Sequence, residues 1–184
     1  MAETAADYLR HLEEGDRWLE LVAGRLVRLS PPDERHGNVV RNLSKTLSAA
    51  LRKESRLYPC FELALHVQHD PDTVRCPAIS CFPVSGGLGE LDKLLTETRP
   101  ELIVEVASSN DRREGMSERV EAYLDWGVPN VWICDPHSEH VHVYAAGQRP
   151  RMLKPNEYLS GGDVVPGLGM LVGDLFADPA WLKS

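Results

Sequence analysis

Residues 100–136 read PELIVEVASSNDRREGMSERVEAYLDWGVPNVWICDP, and this stretch decides the fold. An apolar strand leads through a polar loop into an amphipathic helix, which ends at Gly127 and is followed by a second apolar strand. A strand, helix and strand in this order form a parallel pair with a right-handed crossover. Hairpins predicted elsewhere in the chain add antiparallel partners. We therefore expect an α/β protein with a mixed sheet flanked by helices.

An acid, Glu105, lies inside the first of these strands, close to its carboxyl end. Burying a carboxylate is unfavourable unless a metal, a cation or hydrogen bonds compensate its charge. Open α/β sheets bind ligands at that edge, so Glu105 is a candidate metal ligand and catalytic residue. The alternative is that Glu105 points to solvent where the strand ends, or pairs with a nearby arginine.

Periodicity and turn residues place the other elements. The predicted helices span residues 5–14, 33–56 and 112–126, with one or two helical turns at 91–98. The predicted strands span residues 18–22, 25–29, 61–68, 73–82, 101–107, 130–134 and 140–145, with a further pair near the end. Neither a repeat nor a linker interrupts the 184 residues, which predicts one domain over residues 1–184.

Composition indicates a globular protein, with 42% hydrophobic and 26% charged residues. No apolar run approaches the roughly 18 residues that span a bilayer, and the N-terminus lacks the pattern of a signal peptide. We therefore expect a cytoplasmic protein without membrane association. The cysteines form no CxxC pair, which argues against a thiolate zinc site. We expect single thiols rather than disulfides at Cys60, Cys76, Cys81 and Cys134.

The formal net charge of −8 argues against a strong non-specific nucleic-acid binder. Residues 17–56 nevertheless contain nine Lys/Arg and four Asp/Glu, a net of +5. Within this region the candidate nucleic-acid-binding residues are Arg35, His36, Arg41 and Lys45. His36 begins the predicted helix, where backbone N–H groups favour an anion. The alternative is that this face is only solvated.

Several other polar residues have local patterns that favour a structural interpretation. Glu20 alternates with apolar neighbours, so we expect an exposed position on the first hairpin. Arg119 flanks the buried stripe of its helix and, on pattern alone, is a solvated charge; the alternative is that it reaches over the strand edge toward Glu105. His137, His140 and His142 form an HxxHxH cluster that we expect on an exposed hairpin edge. The alternative is a metal site of a different hydrolase class.

Many segments, in order, give the chain a resemblance to the Uma-type family of restriction endonucleases, part of the PD-(D/E)XK nuclease superfamily. The resemblance covers nearly the whole length and implies a restriction-endonuclease-like fold. The matching segments are WLELVAGRLV at 18–27, SPP at 30–32 with HG at 36–37, VRCPAIS at 74–80, PELIVEVAS at 100–108, RVEAYL at 119–124 with GV at 127–128, VWICDP at 131–136 and GGDVVPG at 161–167.

The resemblance implies a metal-dependent phosphodiesterase that acts on DNA. In the superfamily, a Pro-Asp on one strand and a Glu on the next hold Mg²⁺, and a Lys orients the attacking water. In the Uma-type branch that Lys stands on the following helix. Applied to this chain, the family pattern implies that the catalytic candidates are Glu105, Arg119 and Glu20, with Glu105 as the metal ligand. Members often pair as dimers, so the resemblance also implies a homodimer, although no residue in the sequence sets the oligomeric state.

The chain departs from the family pattern at two positions. Ala78 stands where the Asp of the Pro-Asp pair is expected, so one Mg²⁺ ligand is missing. Arg119 replaces the Lys, and arginine keeps the charge but cannot act as a base. Asp70 and Asp72 belong to the preceding hairpin connection, and we do not expect them to reach the site. Two hypotheses follow: an impaired endonuclease with a degenerate site, or a catalytically silent protein that binds nucleic acid or another protein.

Overall fold

The computed structural model describes residues 2–52 and 56–183, except for the side chain of residue 183. The helices are α1 Ala5–Glu13, α2 Glu34–Leu51, α3 Asn110–Arg113, α4 Met116–Asp125 and α5 Val172–Phe176. The strands are β1 Leu19–Val22, β2 Arg25–Arg28, β3 Leu57–Phe61, β4 Ala64–Gln68, β5 Thr73–Arg75, β6 Ile79–Pro83, β7 Leu95–Thr96, β8 Leu102–Val106, β9 Asn130–Asp135, β10 His140–Ala145, β11 Arg151–Leu153, β12 Tyr158–Ser160 and β13 Gly169–Leu171.

The strands form mixed sheets, as predicted. A six-stranded sheet has the order β11-β10-β9-β8-β6-β3, and a five-stranded sheet has the order β2-β1-β5-β4-β7. β8 and β9 are parallel, which confirms the strand–helix–strand unit read from the sequence. β4 and β7 are also parallel, whereas β12 and β13 form a separate antiparallel pair.

The predicted strands at 61–68 and 73–82 are wrong in extent, because each divides between the two sheets. Between β3 and β4 the chain turns at Glu62, whose φ is +50°. Between β5 and β6 it passes through Pro77, which has no N–H to give to a ladder. β4 and β5 consequently join the five-stranded sheet, while β3 and β6 join the six-stranded sheet.

Three predicted helical segments also differ from the structure. The predicted helix at 112–126 is divided between α3 and α4 by Gly115, whose φ of +73° is left-handed. The predicted turns at 91–98 are a 3₁₀ turn at Gly89–Asp92 followed by β7. α2 begins after Asp33, whose carboxylate accepts the His36 N–H at 2.8 Å. It ends at Leu51, and residues 53–55 of the predicted extension lie outside the described residues.

Helices cover both faces of the six-stranded sheet. On one face, α2 packs Leu43 and Leu47 against Leu102 and Val104 of β8. On the other face, Ile103 packs with α4 and with β4, which belongs to the five-stranded sheet. The end of β8 that carries Glu105 therefore lies where the two sheets and α4 meet.

Two further expectations concern cysteines and membranes. All four cysteines are free thiols, as predicted, and three of them are buried. In the parts of the chain that the structure describes, no helix combines the length and the apolar character needed to cross a bilayer.

Candidate active site

Glu105 is buried at the end of β8, with 2% of its surface exposed. Its Oε1 accepts a hydrogen bond from the Tyr123 hydroxyl at 2.6 Å and lies 3.4 Å from Nη1 of Arg119. Burial raises the pKa of the Glu105 carboxyl, and the Arg119 charge partly opposes that rise. The acid therefore pairs with an arginine, as one reading of the sequence expected, and does not point to solvent.

Glu20 is fully buried, so the expectation of an exposed hairpin position is wrong. Its Oε2 accepts from Arg75 Nη1 at 2.9 Å, and its Oε1 accepts from the Cys76 N–H at 3.1 Å and from Arg119. The register pairs Leu21 with Val74, which sets Glu20 opposite Arg75 on the neighbouring strand. β1 has α1 on its apolar face and Arg119 on the other, and for that reason neither face meets water.

Arg119 is also buried, with 3% exposed, and the expectation of a solvated helix charge is wrong. Its Nη1 donates to Glu20 and to Glu105. Burial alone would lower the pKa of this guanidinium, but the adjacent carboxylates of Glu105 and Glu20 outweigh it and raise the pKa. One arginine of α4 thus connects an acid of each sheet.

Together these residues form a charge-balanced buried cluster, which we call the Glu20–Arg119 cluster. Two carboxylates, of Glu20 and Glu105, face two guanidinium groups, of Arg75 and Arg119. A buried carboxylate needs a compensating positive charge, and here arginines supply it. The cluster therefore has its counter-charges within the protein.

Ala78 lies immediately before β6. Because Ile79 pairs with Val104, the antiparallel register brings Ala78 alongside Glu105. Ala78 lines a cavity of about 90 Å³ together with His36, Cys76 and Arg112. It also lines a more open groove of about 310 Å³ beside the start of α2. No residue of the Glu20–Arg119 cluster lines either space, although the lining residue Cys76 donates its N–H to Glu20.

His36 is buried beside this cavity and does not face water. Burial lowers the pKa of its imidazole to about 4, with the Arg112 guanidinium adding to the effect and Asp33 opposing it. The ring is therefore neutral at pH 7. Its backbone N–H already bonds to Asp33, which removes one donor from the predicted anion site.

Arg112 is a buried cation that the sequence interpretation did not single out. Its Nη2 donates to the Ser30 carbonyl at 3.3 Å, while its buried Nε has no partner among the described residues. Because the surrounding sequence is uniformly polar, nothing in the local pattern distinguished Arg112 from its exposed neighbours. Arg112 lines the cavity beside Ala78, as Arg17 also does.

The remaining basic candidates are exposed along α2. Arg35 Nη1 lies 3.1 Å from Nδ1 of His137. Arg41 donates to the Ala177 carbonyl at 3.0 Å and lines the open groove. Lys45 lies one helical turn beyond Arg41. The structure therefore places three of the four predicted nucleic-acid-binding residues on an accessible surface and buries His36.

Among the residues that the structure describes, the ligand atoms of His137, His140 and His142 do not come close enough together to meet at one ion. His137 Nε2 instead contacts the Ser108 carbonyl at 2.9 Å, so the geometry does not support a metal hydrolase centred on this cluster. Within residues 2–52 and 56–183, one group of three side chains has ligand atoms close enough for an ion: His66, His69 and Asp72. The sequence interpretation missed it, although HVQHDPD at 66–72 spaces these residues three apart.

Comparison with known proteins gives a family and a fold. The Uma2 family, described as "Putative restriction endonuclease", matches residues 5–173. The chain is similar to the crystal structure of a "putative nuclease belonging to DUF820" from Anabaena variabilis ATCC 29413, with a TM-score of 0.74 and 18% identity over 86% of this chain and 89% of that one. At this identity the likeness carries the fold alone. No curated protein matches.

Proposed function

Because the chain belongs to the Uma2 family of restriction-endonuclease-like proteins, we propose that it binds DNA across the α2 surface and that its phosphodiester hydrolysis is impaired. One observation carries the proposal: the Arg119 guanidinium contacts both Glu20 and Glu105, next to a position where Ala78 supplies no ligand. On this proposal, the protein acts as a DNA-binding member of the nuclease fold rather than as an efficient enzyme.

The donor set does not fit the Mg²⁺ that the family implies. Mg²⁺ takes hard oxygen ligands in octahedral geometry and is usually held through one or two carboxylates. Both Glu20 oxygens and Glu105 Oε1 already accept hydrogen bonds from protein donors. A guanidinium 3.4 Å from Glu105 also opposes a second cation at that carboxylate. The cluster therefore does not support a hydrolytic step through a metal.

Arg119 also cannot perform the proton transfer that a lysine could perform at this position. The guanidinium stays protonated and cannot take a proton from water. Its hydrogen bonds to two carboxylates further hold it in the cluster, away from the cavity that Ala78 lines. The cluster thus supports a role in stability rather than in proton transfer.

DNA binding is supported by the distribution of charge. Arg35, Arg41 and Lys45 are exposed on one helix, and Arg41 lines the groove that leads to Ala78. A local basic surface can bind phosphates even on a protein of net charge −8. We expect weak binding that falls steeply with salt, since most of it comes from counterion release.

A cleavage assay tests the impaired step. We expect the native protein, with Mg²⁺ or Mn²⁺, to cleave supercoiled plasmid no faster than a Glu105→Gln variant. Ala78→Asp combined with Arg119→Lys restores the family residues and should produce metal-dependent cleavage. Adding Glu105→Gln to that pair should abolish the cleavage. Native cleavage that disappears in Glu105→Gln alone would show that the site is functional as it stands.

A binding assay tests the α2 surface. Arg41→Gln with Lys45→Gln removes two phosphate contacts and should reduce the slope of log K against log salt by about 2. Arg149→Gln with Arg151→Gln is the matched control, because it removes the same charge from exposed residues at the start of β11. Equal losses in both pairs would contradict the α2 surface as the binding site. No binding by the native protein at low salt would contradict DNA binding and favour a protein partner.

A further inference from the structure

We propose that His66, His69 and Asp72 form a binding site for a transition-metal ion such as Zn²⁺, separate from the Glu20–Arg119 cluster. His66 lies in the middle of β4, and the other two residues follow in the β4–β5 connection. Nε2 of His66 lies 3.1 Å from Asp72 Oδ1, and Nδ1 of His69 lies 3.9 Å from the same oxygen. Ligand atoms of a tetrahedral zinc ion lie about 3.3 Å apart, so these spacings suit one ion.

The contacts around His66 match those of a metal-binding imidazole. His66 is buried, and its other nitrogen, Nδ1, lies 3.2 Å from Glu97 Oε1. Metal-binding imidazoles usually donate their second N–H to a carboxylate in this way. With the proton on Nδ1, Nε2 presents a lone pair to the Asp72 carboxylate. Two acceptors 3.1 Å apart require a positive charge between them, which a proton or a metal ion supplies.

Asp72 is oriented in a similar manner. Its Oδ2 accepts the Ala5 backbone N–H at 2.7 Å, which leaves Oδ1 directed at His66. The register of β4 with β5 shifts between His66 and Gln68, and such bulges redirect side chains. Two of the three ligands are thus held by contacts that do not involve the ion.

The ligand types define the class of ion. Two imidazoles and one carboxylate suit Zn²⁺, Co²⁺ or Ni²⁺ better than Mg²⁺, which prefers oxygen. His69 is 63% exposed, so the site is open to solvent and leaves a coordination position for water. An ion here would join the β4–β5 connection to α1 through Asp72, and to the segment after β7 through Glu97. Its expected role is to stabilise the five-stranded sheet.

The test uses untagged protein freed of metal by chelation and titrated with Zn²⁺ and Co²⁺. We expect one ion per chain, the visible absorption of tetrahedral Co²⁺, and a Tm increase of about 5–10 °C at a hundredfold excess over Kd. His69→Ala, an exposed position, should weaken binding at least tenfold and remove the Tm increase. Glu97→Gln should weaken binding less, because Glu97 only orients His66.

His140→Ala is the matched control, since it removes a histidine outside the group and should leave binding unchanged. Millimolar Mg²⁺ should not displace Co²⁺. The proposal is overturned if the native chain binds no stoichiometric ion, if His69→Ala binds as the native chain does, or if His140→Ala abolishes binding.

Discussion

Replacing Arg119 by methionine tests the physical role of the Glu20–Arg119 cluster. The substitution keeps an apolar stem but leaves two buried carboxylates with Arg75 as their remaining cation. Breaking a buried ion pair by removing one partner costs about 3–5 kcal/mol. Since folded domains have about 5–15 kcal/mol of stability, we expect a folded but strongly destabilised variant.

The loss should depend on pH. Burial already raises the pKa of Glu105, and Arg119 is the main influence that lowers it, so the variant raises that pKa further. A carboxyl whose pKa is higher in the folded state than in the unfolded state contributes its full stability at pH values below the unfolded-state pKa. That contribution is lost as the pH rises through the folded-state pKa. The difference in the free energy of unfolding between the native protein and the variant should therefore be smaller at pH 4.5 than at pH 8.

Urea unfolding at the two pH values measures both effects. Arg113→Met is the control, because Arg113 pairs with Asp135 at a partly exposed position, where about 1 kcal/mol or less is expected. Adding Glu105→Gln to Arg119→Met should recover part of the loss, since it removes the unpaired charge. An Arg119→Met loss below about 1 kcal/mol, or one that does not change with pH, would refute the reasoning.

Three further predictions use single groups. Tyr123→Phe removes the hydrogen bond to the Glu105 carboxylate and should lower the free energy of unfolding by about 1.5–3 kcal/mol, measured with urea. His36 has a pKa lowered to about 4, so its NMR signals should not titrate between pH 8 and pH 5. Native stability should fall as pH drops from 6.5 towards 4, and His36→Gln should flatten that fall by about 2–3 kcal/mol. Burial raises the pKa of Cys81 and Cys134 to about 12, and iodoacetamide at pH 8 should alkylate them only after unfolding, as mass spectrometry would report.

The local sequence predicted those elements whose hydrophobic pattern and turn residues lie within the element itself. The hairpin of β1 and β2 and the parallel unit of β8 and β9 follow from alternation, turn residues and a helix of the right length. The divided strands were not predicted, because leaving one sheet for the other is a tertiary event. Pro77 and the left-handed Glu62 mark those points, but each is compatible with an ordinary bulge or turn.

Glu20 and Arg119 show a different limit of sequence interpretation. On their own elements, both have the pattern of exposed residues, because alternation and helical periodicity describe only one strand or one helix. Their burial comes with the contact of Arg119 on α4 with Glu20 on β1, two residues 99 positions apart. The family resemblance drew attention to both positions, but the resemblance alone did not predict that Arg119 bonds to both acids.

The position of Arg119 between the two sheets also links the residues of the family pattern to the stability of the fold. Ala78→Asp alone adds a third carboxylate beside a cluster whose charges are already balanced. Arg119→Lys alone gives up the planar donor that reaches both acids. We expect each substitution on its own to lower the stability of the protein. A substitution made here for its chemistry is therefore also a substitution in the contact that joins the two sheets.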